Sequence, residues 1–80
     1  MGTQNELVQR LEDGYNKFSK GQKKLADFIR EDYDKAAFMT AAKMGEEVGV
    51  SESTVVRFAT ALGYEGYPQF QRALGEMVRT

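Results

Sequence analysis

Residues 40–63 read TAAKMGEEVGVSESTVVRFATALG, two short helical patterns joined by one tight turn, Gly49-Val50-Ser51. Glycine at 49 permits the positive φ that closes a helix C-terminus, Val50 is placed to plug the gap between the helices, and Ser51 is placed to cap the helix that follows. Two helices joined in this way meet at a steep angle. Counted from Gly49, the apolar positions Met44, Val48, Val50, Val55 and Phe58 have the spacing that locks such a pair together. Gly45, four residues before Gly49, stands where the second helix crosses the first closely, so only a small residue avoids a clash; glycine fits there at a cost in helix propensity. The stretch from about 40 to 62 is therefore expected to form a helix-turn-helix.

In its second helix, Ser51 to Leu62, the residues Val55, Phe58, Ala59 and Leu62 fall at i, i+3, i+4 and i+7 and make the core face. Ser53, Arg57 and Thr60 lie opposite that stripe, with Thr54 and Ala61 beside them. Small donors around one arginine suit a major groove, where hydroxyls reach base edges or phosphates and an arginine bonds guanine O6 and N7 together. Free N–H groups near Ser51 to Thr54 add donors for a phosphate oxygen. Each residue also has a plainer reading: Ser51 as a cap, Ser53 and Thr54 as solvated hydroxyls, Arg57 as the ion-pair partner of Glu52 or Glu65. An exposed cation among small polar residues favours DNA for Arg57, whether base or phosphate. Lys43 lies near the start of the preceding helix, whose end typically crosses the DNA backbone.

Working outward, Leu7, Val8, Leu11 and Tyr15 predict a helix from about Asn5 to Tyr15, loosened by Gly14 and Asn16. Ser19 and Gln22 have capping-box spacing, so a second helix starts there, buries Leu25, Phe28 and Ile29, and ends at Arg30-Glu31-Asp32. Tyr33 to Met39 reads as a short helical turn or packed connector before an N-cap at Thr40. After Gly63, the stretch YEGYP is turn chemistry, with Pro68 as first residue of a last helix that buries Phe70, Leu74 and Met77. Tyr64 and Tyr67 are expected to pack on Phe70, because no basic residues interleave with them as a single-strand stacking groove requires. The fold class is all-α: a compact, homeodomain-like bundle of about five helices, with room for a short sixth.

The 80 residues suit one small domain. Cysteine and histidine are absent, which removes disulfides, thiolate chemistry, most zinc sites and histidine acid/base pairs. Glu46 and Glu47 point about 100° apart on a helix and cannot act as a catalytic pair. No enzymatic activity and no cofactor are expected. The N-terminus has neither signal-peptide nor membrane-span character, so a cytoplasmic protein is expected. Eleven basic against twelve acidic residues give a net charge of −1, which weighs against a nucleic-acid partner. A local feature answers it: Lys17, Lys20, Lys23 and Lys24 fall in the stretch 14–26, which holds no acid. Lys23 and Lys24 are candidate phosphate contacts, with a merely solvated lysine face as the alternative. A rival function, a helical module that docks partner proteins, would require an exposed apolar patch. None is visible outside the predicted core faces, although the positions of Val56 and Phe38 are open.

The stretch GVSESTVVRFATALGYEGYPQFQRAL, extended back through FSKGQKKLADFIRED, resembles the N-terminal domain of the RpiR family of bacterial regulators from about Phe18 to Leu74. Two residues depart from that family's pattern, Gly45 for the usual alanine and Tyr33 where proline is frequent. The resemblance implies a regulator of sugar-metabolism genes whose C-terminal sugar isomerase (SIS) domain, absent from this chain, binds a phosphosugar effector. A homodimer would then set two Ser51–Leu62 helices in successive major grooves of a roughly palindromic double-stranded operator, about 34 Å apart.

Overall fold

A computed structural model of the chain describes residues 6–79, so Asn5, the expected helix start, lies outside the described residues. Helix α1 spans Glu6–Gly14 and runs into a 3₁₀ turn, Tyr15–Lys17. Helix α2 spans Lys20–Ala36, α3 Ala41–Val48, α4 Glu52–Ala61 and α5 Tyr67–Arg79. The start signals act as the sequence predicts. Ser19 accepts from the Gln22 N–H while the Gln22 side chain accepts from the Ser19 N–H, and Thr40 accepts from Lys43 N–H at 3.1 Å. The last helix begins one residue before Pro68, with Gly66 accepting its first backbone hydrogen bond from Phe70.

The second helix breaks where its charged run Arg30–Asp32 ends, as expected: Asp32 leaves helical geometry (φ −131°, ψ 46°), and the short helical turn read for the connector follows it, to Ala36. Burial holds this turn in place: Ala36 is fully enclosed, and Ala37 and Met39 behind it are buried too. The connector is clamped from α5, where Tyr67 Oη donates to Met39 O at 2.6 Å and Gln71 Nε2 donates to Ala37 O and Met39 O at 3.2 and 3.0 Å. Phe38, between these two anchored residues, is left 81% exposed.

The core is drawn from every helix. Leu7 and Leu11 of α1, Leu25 and Ile29 of α2, Met44 of α3, Val55 and Phe58 of α4, and Phe70 and Leu74 of α5 are fully buried. Each such side chain contributes about 1.5–3 kcal/mol by leaving water. Phe28 and Met77, expected in the core, are only partly covered because they lie at its edge. An aromatic chain ties the layers together: Phe18 meets Phe58 edge-on at 5.1 Å, Phe58 meets Phe70 at 6.1 Å, and Tyr64 and Tyr67 both pack on Phe70. That packing matches the reading of the two tyrosines as core partners.

Burial pushes the Tyr67 hydroxyl up from its ordinary value of 10.0 to about 12. Between those values the unfolded chain releases this proton and the folded chain keeps it, so stability falls as pH rises through the window. Denaturant titrations above pH 10 are expected to show this decline and to show less of it in Tyr67→Phe.

Candidate nucleic-acid interface

Helices α3 and α4 pack directly on each other, and their junction is set by backbone geometry. Gly49 adopts φ 90°, and its N–H and that of Val50 both donate to Gly45 O, at 2.7 and 2.8 Å. A Cβ on Gly45 would stand 2.6 Å from Val50 O. Glycine therefore permits a tighter crossing than alanine would without a shift of the turn. No atom lies within 4 Å of a Cβ built on Gly49, so only its left-handed backbone demands glycine. Gly49→Ala is accordingly expected to cost about 1–2 kcal/mol in urea denaturation, without loss of the fold.

Both ends of α4 are held. At its start, Ser51 Oγ accepts from Thr54 N–H at 3.1 Å and lies 2.9 Å from Thr54 Oγ1. The Thr54 methyl faces the first turn of α2, where a Cβ on Gly21 would meet Thr54 Cγ2 at 3.6 Å and Val50 Cγ1 at 3.3 Å. At its end, Gly63 (φ 99°) and Tyr64 close the helix through bonds to Thr60 O and Ala59 O, the Schellman pattern. Arg10 of α1 completes that end. Its Nη1 donates to Leu62 O at 2.8 Å, its guanidinium stacks 4.7 Å from the Tyr64 ring, and its Nη2 pairs with Glu6. A cation at a helix C-terminus also complements the macrodipole.

Between these anchors α4 presents Ser53, Val56, Arg57 and Thr60 to solvent. Arg57 makes no ion pair with Glu52 or Glu65; the ion pairs found among the described residues are Arg10–Glu6, Lys35–Glu47 and Lys43–Glu46. The guanidinium is therefore free. Thr60 Oγ1 bonds back to Val56 O at 3.3 Å, so its hydroxyl is partly engaged. Lys43 is exposed and lies 3.8 Å from Glu46, a surface pair of little strength that a phosphate could replace.

The lysine patch divides. Lys23 is half-buried, with its ammonium 5.5 Å from the Tyr15 ring, whereas Lys17, Lys20 and Lys24 are exposed. Lys20 and Lys24 flank Gly21, the residue that leans on the start of α4, so the patch borders α4 although it is about thirty residues away in sequence. Arg10 was not among the residues the sequence pointed to, and Glu52 and Val56 entered only as a candidate ion-pair partner of Arg57 and as an open position. Only the helical angle of Val56, next to Arg57, carried a signal in advance.

Among the described residues no cluster of acidic side chains could hold a metal ion, and no helix is long and apolar enough to cross a membrane.

This geometry defines a helix-turn-helix domain of the kind that transcriptional regulators use to bind DNA. The model for the helix-turn-helix domain of the rpiR family matches residues 5–79, and the chain belongs to that family. It is 39% identical over 67 residues to the uncharacterized HTH-type transcriptional regulator YfhH of Escherichia coli (strain K12), covering 84% of this chain and 24% of that protein. A second uncharacterized HTH-type transcriptional regulator, from Clostridium perfringens (strain 13 / Type A), is 29% identical over 72 residues, covering 90% of this chain and 26% of that protein. Among solved structures, the Vibrio vulnificus NanR protein complexed with ManNAc-6P superposes with a TM-score of 0.85 at 34% identity, covering 91% of this chain and 28% of that one. The chain thus spans about a quarter of the length of these relatives.

Arg10→Met keeps the aliphatic stem but removes the bond to Leu62 O and the charge over Tyr64. It is expected to lower stability by about 1–2 kcal/mol, the range for a hydrogen bond from a charged donor discounted for partial exposure. Urea denaturation of the two proteins measures the difference.

Proposed function

We propose that this domain binds a double-stranded operator sequence-specifically by placing α4 in the major groove, and that it catalyses nothing itself. The observation that carries the reading is the free Arg57 guanidinium between Ser53 and Thr60, on a helix whose two ends are fixed by the rest of the fold. In this reading Arg57 and Ser53 face base edges, with Thr60 beside them. Ser51 and Thr54 secure the helix start and turn free N–H groups toward a phosphate. Lys43 and Lys24 lie against the DNA backbone on either side, and Lys23 supports them from its place over Tyr15.

The regulator works as a cytoplasmic homodimer on a roughly palindromic site, its recognition helices about 34 Å apart. The domain acts as one part of a longer protein whose SIS domain binds a phosphosugar and thereby biases the dimer geometry. The NanR structure, complexed with ManNAc-6P, supports an effector of this chemistry and sugar-metabolism genes as targets. The exposure of Phe38, a position the sequence left open, favours a second reading, a surface that docks a protein partner.

Fluorescence anisotropy against duplex DNA at several salt concentrations tests the proposal. Arg57→Ala is expected to weaken binding by about 1–3 kcal/mol with relaxed sequence preference, and Lys24→Ala to lower the salt slope by about 1 with little change in preference. An Arg57→Ala protein that binds as tightly as the parent would remove that residue from the interface. Absence of duplex binding at low salt would favour the protein-docking reading.

A further inference from the structure

The free face of α4 carries a side chain that no hydrogen-bonding role explains. Val56 is 38% exposed, one turn after Glu52 and next to Arg57. Together with Ser53, these residues line a shallow depression of about 360 Å³. Valine in a helix holds one strongly preferred χ1 rotamer, so the contribution of Val56 to this depression is set before any ligand arrives. Its chemistry is mixed: the apolar Val56 side chain, the Arg57 guanidinium, the Ser53 hydroxyl and the Glu52 carboxylate. Glu52, which makes no ion pair among the described residues, repels phosphate oxygens from this part of the face. A base edge rather than the backbone is what fits there. Along the major groove the base edges offer hydrogen-bonding atoms throughout and one apolar group, the C5-methyl of thymine.

We propose that Val56 is a specificity-determining residue that reads thymine by covering its C5-methyl, at a base pair adjoining the one that Arg57 faces. The inference rests on the DNA-binding reading above and adds to it the identity of a base. Arg57 then selects a guanine by hydrogen bonds, Val56 selects the neighbouring pair by shape, and Glu52 keeps the backbone away from both.

The test separates the two claims. Duplexes recovered by this chain from a randomised library are remade with single thymines replaced by deoxyuracil, which deletes the methyl and leaves every hydrogen-bonding atom in place. At one thymine position the replacement is expected to weaken parent binding about fourfold, the effect of one buried methyl. Val56→Ala is expected to bind the thymine duplex correspondingly less well and to show no further response to deoxyuracil at that position. Val56→Thr, which keeps a methyl, is expected to retain part of the response. Alanine has the higher helix propensity, so Val56→Ala remains folded, as circular dichroism checks. If no thymine position responds, or if parent and Val56→Ala respond equally, the assignment of Val56 falls while duplex binding stands. If no duplex is recovered at all, the DNA-binding reading falls and this inference with it.

Discussion

The contact on which the rest of this structure depends is the crossing of α3 and α4 at Gly45. One carbonyl, Gly45 O, receives the N–H groups of both Gly49 and Val50, while the Gly45 Cα sits so close to Val50 O that a methyl group would press on it. Short hydrogen bonds on one side and hard-sphere contact on the other leave the turn little freedom. The angle between the helices follows, and with it the direction in which α4 leaves the body of the domain. Val55 and Phe58 can then enter the core only as they do, which turns Ser53, Arg57 and Thr60 outward.

The remaining helices act largely to hold α4 in that direction. Gly21 lets the first turn of α2 lean on Val50 and Thr54, and Arg10 reaches from α1 to the last carbonyl of α4. These contacts come from two different helices and close on the two ends of one ten-residue helix. A surface held in this way loses little conformational entropy when it docks, so more of its contact energy is available as affinity. The clamp of Tyr67 and Gln71 on the α2–α3 connector extends the same rigidity to the start of α3.

Charge shows why a whole-chain average misleads here. A net of −1 is a poor description of a domain whose acids and bases are segregated. From Asp27 onward α2 carries Asp27, Glu31, Asp32 and Asp34 against Arg30 and Lys35, while its first turns carry Lys20, Lys23 and Lys24 beside the start of α4. Counterion release depends on the cations near the phosphates, not on the sum over the molecule. The acidic half of α2 affects the encounter only weakly, being farther from the α4 junction and screened over about 10 Å at moderate salt.

The sequence by itself determined whatever depends on a few neighbouring residues. Caps at Ser19, Thr40 and Ser51, the left-handed Gly49 and the apolar stripe of α4 were all legible, because a side chain reaching a backbone N–H three residues away, or a helical period, is a local matter. Those local signals also placed Arg57 on the free face. Tertiary structure decided what depends on distant partners. The place of the helical turn after Asp32 requires a buried position for Ala36 and hydrogen bonds to the connector from Tyr67 and Gln71, whose partners lie 28 to 34 residues away in sequence. The bond from Arg10 spans 52 residues, and the engagement of Thr54 depends on Gly21 being near it. No periodicity encodes such meetings, because they arise only when packing the core face of each helix brings the helix ends together.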